Sequence, residues 1–292
     1  MAPTVSPGVP TTLRTGWVSV ARGRVVPADG AREEPPGGGV PSPGCVSGGD
    51  AGPVGPHDTL FDPPDAGDGP DWPVTVAPGA VHLPGWLDTD RQRRLLAACR
   101  RWARPPAGLP TVRTPRGGTM SARQVCPGWH WSPYRYSRHV VDGDGAPVKS
   151  FPPWLDALAR EAVADCGPEG PAVPADAYDI ALVNFYDADA RMGMHRDAEE
   201  RSDAPVVSLS LGDTCVFRFG NPENRGRPHT DVELRSGDAF VFGGPSRAAY
   251  HGVPRVRPGT APAWLGLTGR LNITLRMSGL EGRARPGGGR RG

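Results

Sequence analysis

The run Arg270-Leu271-Asn272-Ile273-Thr274-Leu275-Arg276 alternates polar and apolar residues without a break. Successive side chains of a strand point to opposite faces. Arg270, Asn272, Thr274 and Arg276 therefore share one face, and Leu271, Ile273 and Leu275 the other. A polar face of this kind ordinarily meets water. Here, however, the upstream run Ile180-Ala-Leu-Val-Asn-Phe-Tyr186 also sets two polar residues, Asn184 and Tyr186, on one face. If the two faces converge, they suit a barrel interior that binds a small dianion. Two arginines six positions apart can hold a dicarboxylate at both ends, or one end together with a metal-ligating carboxylate.

Around these two runs lie further short β-like segments, Val206–Leu211, Cys215–Phe219, Asp231–Leu234 and Ala239–Phe242, separated by Gly, Asp, Asn and Pro. Six or more short strands with such turns predict a mainly β fold, a sandwich or jelly roll. Two helices precede them. One runs from Asp88 or Thr89 as N-cap to about Trp102, with Leu95, Cys99 and Trp102 on one face and Arg91, Arg94 and Arg101 toward water. The other runs from about Pro153 to Ala164, with Ser150 upstream and Gly167 as a stop. Between them, Thr111 to Tyr136 mixes a Pro115-Arg-Gly-Gly118 turn with aromatics and reads as hairpins or loops. No internal repeat is present.

The first seventy of the 292 residues hold 14 Gly and 13 Pro. Such a segment cannot bury a core and is predicted to be disordered. A globular texture begins near Trp72, and the chain closes on a basic tail with Arg283, Arg285, Arg290 and Arg291. The net charge of +2 neither demands nor excludes a nucleic-acid partner. Of 33 basic residues only Lys149 is lysine. Arginine favours bidentate phosphate and carboxylate contacts, and a G+C-rich coding bias gives the same skew. Cys45, Cys99, Cys126, Cys166 and Cys215 form no C-x-x-C pair, which points to free buried thiols in a reducing compartment. No signal pattern and no apolar run of the ~18 residues a membrane span needs are present. A soluble cytoplasmic protein is expected.

Chemistry enters with His195-Arg-Asp197, where residues i and i+2 of an extended segment present an imidazole and a carboxylate side by side. His251, in Tyr250-His251-Gly252, is the best candidate for a third ligand. Two histidines and one carboxylate on one face of a metal leave the opposite positions open, the non-haem iron(II) arrangement that admits a co-substrate and oxygen. His57, His82, His130, His139 and His229 lack partners at ligand spacing.

Taken together, Asn184-Phe-Tyr186, His195-Arg-Asp197, Val206-Val-Ser-Leu-Ser-Leu-Gly212, Phe217-Arg-Phe219, Gly243-Gly-Pro-Ser-Arg-Ala-Ala-Tyr-His251 and Arg270-x-Asn272-x-Thr274-x-Arg276 resemble the AlkB family of alkylation-repair dioxygenases. The order matches, as do the intervals: 54 residues from Asp197 to His251, then 19 to Arg270. The resemblance implies a double-stranded β-helix that holds Fe(II) through His195, Asp197 and His251. It also implies that Arg270 pairs with the distal carboxylate of 2-oxoglutarate, helped by Asn184 and Tyr186. Asn272 and Arg276 would lie near the other end, with Arg276 steadying Asp197. Oxygen and 2-oxoglutarate would then be consumed, with succinate and carbon dioxide as products. The N-alkyl carbon is hydroxylated and lost as an aldehyde. By the same resemblance residues 71–280 form one dioxygenase domain, with helices and a nucleotide-recognition lid (71–177) before the jelly-roll core (178–280). Residues 1–70 and 281–292 flank it.

The implied substrate is an alkylated base such as 1-methyladenine or 3-methylcytosine in DNA, or in RNA, presented unpaired or flipped out. Trp129 and Tyr136 match the spacing of lid aromatics that contact the nucleotide, and Glu199 matches an acidic position beside the base. Arg225, in the Asn221–Pro228 loop, is a candidate phosphate contact. A monomer without membrane attachment is expected. Two other readings stay open at this point. One is a 2-oxoglutarate oxygenase acting on RNA, a small molecule or a protein side chain; the other is a catalytically inactive nucleic-acid-binding module.

Overall fold

The computed structural model describes residues 73–113 and 117–280. The segment 1–70 with Cys45 and His57, the tail 281–292, and Pro115 and Arg116 of the predicted turn lie outside the described residues. In chain order, β1 (Val74–Ala77) and β2 (Ala80–Leu83) precede α1 (Thr89–Trp102). Next come β3 (Thr111–Arg113), β4 (Thr119–Val125), β5 (His130–Ser132), β6 (Arg135–Ser137) and α2 (Pro153–Ala164). The remaining strands are β7 (Ile180–Tyr186), β8 (Met192–His195), β9 (Val206–Gly212), β10 (Cys215–Phe219) and β11 (Thr230–Leu234). The last three are β12 (Ala239–Phe242), β13 (His251–Val256) and β14 (Arg270–Arg276).

The strands form an eight-stranded sheet, ordered β1-β2-β12-β9-β14-β7-β4-β3, a four-stranded sheet, β11-β10-β13-β8, and a separate β5-β6 hairpin. This is the predicted jelly roll. Strand β14 sits between β7 and β9 at the centre of the large sheet. Its apolar face, Leu271, Ile273 and Leu275, joins Leu95, Leu96 and Cys99 of α1 and Leu155, Ala159 and Val163 of α2 in one core. The opposite face of the large sheet packs on the small sheet through Phe240 and Phe242 against Phe217 and Phe219, with ring centroids as close as 4.9 Å. The polar face of β14 is thus enclosed between two sheets rather than wetted. Arg270 and Arg276 are 1% and 6% exposed.

Both helices fall where their signals put them. Asp88 caps α1 by accepting from the Arg91 amide at 2.7 Å, satisfying one of the orphan N–H groups of the first turn. Arg91 itself departs from expectation. It does not simply face water, but bonds Glu161 of α2 at 2.7 Å and lies 5.5 Å over the Trp86 ring. Helix α2 begins on Pro152 with no side-chain cap, so Ser150 plays no part in starting it. Among the described cysteines, Cys99, Cys126, Cys166 and Cys215 are free and buried. No helix among the described residues is long and apolar enough to cross a membrane.

Gly128, which links β4 to β5, fixes how the hairpin leaves the sheet. Its amide donates to the Lys149 carbonyl at 2.7 Å, and its own carbonyl accepts from Arg138 at 2.7 Å. It adopts φ +92°, and an added Cβ would lie 1.9 Å from the Asp179 carbonyl oxygen. Replacing Gly128 by Ala should therefore cost about 2–3 kcal/mol of stability, through positive φ and a backbone clash together. An unchanged urea midpoint would show that the linker can relax away.

Candidate active site

Two strands and the segment after one of them deliver the metal-ligand candidates. His195 ends β8, Asp197 follows two residues beyond it, and His251 opens β13 directly across from His195 in the ladder. The candidate ligand atoms of all three lie within 4.8 Å of one another, and no other such group of His, Cys, Asp or Glu occurs among the described residues. Asp197 lies with one oxygen 3.7 Å from His195 Nε2 and the other 3.7 Å from His251 Nε2.

The imidazoles are set up to bind. His195 Nδ1 donates to the Gly193 carbonyl and His251 Nδ1 to the Ala249 carbonyl, each at 3.0 Å. A carbonyl only accepts, so Nδ1 carries a proton in each ring and Nε2 is the atom left free to ligate. Burial, followed by the neighbouring His195, pushes His251 down to about 4, so it is neutral at physiological pH. Burial raises the Asp197 carboxyl, but the Arg276 guanidinium, first among the neighbouring charges, leads the contacts that more than offset this and hold it at about 2. Its Oδ2 is buried without a hydrogen-bond partner. Two imidazole nitrogens, an ionised carboxylate and one orphaned oxygen fit a divalent iron centre with open positions.

Beside this cluster, the β7–β14 register sets Arg270 opposite Tyr186 and Asn272 opposite Asn184. The predicted convergence of the two polar faces follows from direct cross-strand pairing. Arg270 bonds the Ser210 hydroxyl at 2.9 Å and the Asp213 carbonyl at 3.4 Å, its Nε is unsatisfied, and it meets no carboxylate among the described residues. A buried guanidinium left without a counter-ion is costly, and the carboxylate of a dianion such as 2-oxoglutarate fits that place. Asn272 donates to Ser208 at 2.6 Å, and Asn184 accepts from Gln124 of β4 at 3.1 Å.

Arg276 is occupied differently. Its Nη2 lies 2.6 Å from Asp197, and its Nη1 3.0 Å from Glu200 and 3.3 Å from the Tyr136 hydroxyl. Burial works against its charge, but Asp197, Tyr136 and Glu200 prevail and raise its pKa well above the usual arginine value. Glu200, which sequence reasoning passed over in favour of Glu199, has a fully buried side chain. It accepts from the Tyr136 hydroxyl, from Arg276 and, at 3.0 Å, from Arg247. A charge count would have found it. Arg247 in the Gly243-Gly-Pro-Ser-Arg247 run and Arg276 both need a carboxylate, and Asp197 serves one.

The other predicted contacts divide. Tyr136 reaches into the site, whereas Trp129 donates its N–H to Asp179 at 3.1 Å and has Arg138 lying 3.7 Å over its ring. One stacking face of Trp129 is already taken. Glu199 is half-buried and folds back on the Ala198 amide at 3.3 Å. Arg225 lies 5.7 Å from the Tyr250 ring centroid, and Arg196, between the two ligands of the His195-Arg-Asp197 run, 5.5 Å from the same ring. Of the histidines set aside as ligands, His82 pairs with Asp238 at 3.0 Å and His130 with Asp142 at 2.6 Å.

Comparison with known proteins agrees with this geometry. The model of the 2OG-Fe(II) oxygenase superfamily matches residues 79–276. The "Alpha-ketoglutarate-dependent dioxygenase AlkB homolog" of Caulobacter vibrioides is 40% identical over 213 residues, covering 70% of this chain and 90% of that protein. The "DNA N(6)-methyladenine demethylase ALKBH1D" of Arabidopsis thaliana is 31% identical, covering 69% of this chain and 50% of its own length. The solved structure titled "The structure of OsALKBH1" superposes with a TM-score of 0.63 at 32% identity, over 70% of this chain and 99% of that one.

The buried network makes a stability prediction. Truncating Glu200 to Ala leaves Arg247 and part of Arg276 unpaired and should cost about 3–5 kcal/mol at neutral pH. Burial raises the Glu200 carboxyl, but Arg276 leads the contacts that hold it below its usual 4.5. A depressed folded-state pKa confers stability that is present above the unfolded value and lost as pH falls through the folded one. Wild-type stability should thus drop in acid below about 4.5, and the Glu200→Ala variant should show a shallower drop. Equal denaturation midpoints at neutral pH would remove Glu200 from the network.

Proposed function

The chain belongs to the AlkB family within the 2OG-Fe(II) oxygenase superfamily, and from that premise we propose that it removes alkyl groups from bases in DNA, acting as a cytoplasmic monomer. It is an Fe(II)- and 2-oxoglutarate-dependent dioxygenase. Iron held by His195, Asp197 and His251, with 2-oxoglutarate and oxygen, supplies the oxidising power. The chain's own residues bind, orient and exclude water. Arg270, with Tyr186 and Asn184, takes the distal carboxylate of the co-substrate in a dry site where charge attraction is weakly screened. Asn272 lies toward its other end, and Arg276 holds Asp197 in its ligating pose. In this reading Tyr136, which reaches the Arg276 network, and Glu199 are the base contacts, and a carboxylate beside the base favours bases made cationic by methylation. The hydroxylated alkyl group then leaves as an aldehyde.

The observation that carries the nucleic-acid reading is the pair of arginines around Tyr250. Arg196 and Arg225 converge on one ring, next in sequence to His251, and neither has a carboxylate partner among the described residues. Unneutralised guanidiniums beside a reaction centre suit the phosphates of a strand that threads past it.

The direct test is a turnover screen across DNA and RNA oligonucleotides, single- and double-stranded, bearing 1-methyladenine, 3-methylcytosine or 3-methylthymine. Formaldehyde and succinate should appear together, and faster for the two cationic bases. Turnover of small molecules or peptides with none on any oligonucleotide would replace this reading. The arginines give a second expectation. Changing Arg196 or Arg225 to Gln should reduce the slope of log affinity against log salt by about one each, with little effect on decarboxylation of 2-oxoglutarate alone. An unchanged slope would place the phosphates elsewhere.

A further inference from the structure

The tip of the β5–β6 hairpin holds a tyrosine in a conformation that costs energy. Ser132 pairs with Arg135 across a two-residue turn, Pro133-Tyr134. Tyr134 has φ +70°. Proline followed by a left-handed residue is the pattern of a type II turn, whose left-handed position favours Gly or Asn. A bulky side chain there is strained, and strain of this kind persists where something other than folding requires the residue. Nothing in the fold does. Tyr134 is 78% exposed, far more than the next of the exposed large hydrophobic residues, Val141 at 47%, and its hydroxyl has no hydrogen-bond partner among the described residues.

Its position is what gives it a use. Tyr136, two residues on, touches Arg276 inside the site. Two residues of chain span at most about 7 Å, so the Tyr134 backbone lies within that reach of Tyr136. Arg135 between them is exposed and has no carboxylate partner among the described residues. The hairpin thus presents, in order, an outward ring, an unneutralised cation and an inward ring.

We propose that Tyr134 is a stacking finger, packing on the base next to the one that enters the site, with Arg135 on the phosphate between them. The proposal rests on the nucleic-acid reading above. Withdrawing a base from a strand leaves its neighbour with an uncovered face, and an aromatic ring covers that face whatever the neighbour's identity. The proline-led turn holds the ring out before the strand arrives, so little freedom is lost on binding.

The test measures binding of the full-length chain by fluorescence anisotropy to an oligonucleotide with one 1-methyladenine, flanked by normal nucleotides or by an abasic neighbour on one side or the other. Wild type should lose about 5- to 150-fold affinity for one of the two abasic versions, the worth of one base stack. Tyr134→Ala should lose the same on the normal oligonucleotide and nothing further on that abasic one. Tyr134→Phe should bind as wild type. Tyr134→Gly should bind like the Ala variant yet melt higher than wild type, because it relieves the left-handed strain. Tight binding by Tyr134→Ala, or an equal loss on normal and abasic strands, would overturn the finger. Tyr134-dependent binding without turnover would leave the finger standing and overturn the dealkylation reading. Turnover with Tyr134-independent binding would do the reverse.

Discussion

Charge that must be buried organises this molecule. Around the candidate site three guanidiniums, of Arg247, Arg270 and Arg276, stand against two carboxylates, of Asp197 and Glu200. Arg247 and Arg276 are neutralised by the two acids; Arg270 is not. An ionised group out of water must be paired and hydrogen-bonded or it destabilises the fold. The spare charge suits the chemistry of the family, because a divalent cation and a dianionic co-substrate together are a neutral pair. A co-substrate carboxylate placed at Arg270 would give that guanidinium the partner it lacks among the described residues and leave the rest of the balance untouched.

Much of this was legible in the chain because it follows from period-two patterning. Strands β7, β10 and β12 begin and end on the expected residues, β14 coincides with the alternating run Arg270–Arg276, and β9 and β11 differ by one residue at an end. The strands that carry His195 and His251 were not foreseen. Met192-Gly-Met-His195 and His251-Gly-Val-Pro-Arg-Val256 contain Gly, Pro and too few alternating apolar residues to announce themselves. They become strands through pairing with β10 and with each other, which is tertiary information. The two imidazoles were nevertheless identified, because ligand chemistry is written in residue type while strand formation depends on context.

The acidic pair at 199 and 200 shows the opposite case. Spacing selects Glu199, but the fold turns Glu200 inward and Glu199 back on its own backbone. A one-residue choice of face lies beyond what alternation can resolve once the strand has ended at His195. Trp129 illustrates a further limit. Its aromatic ring was legible, but the arginine that covers it, nine residues on in the chain, was not. Through Tyr136 the hairpin is bonded to the same Arg276 that holds Asp197, so the element expected to meet substrate shares a hydrogen-bond network with the metal-ligand candidates.

The three candidate ligands are not equally sheltered. The side chains of Asp197 and His251 are 3% and 9% exposed, whereas that of His195 is 36% exposed and ends a strand at the edge of the small sheet. An edge strand has a neighbour on one side alone, so it yields before the interior of a sheet does. The site is in that sense a two-point socket with a latch. A chelator or a competing ion approaching the three candidates would meet His195 before the two sheltered ones.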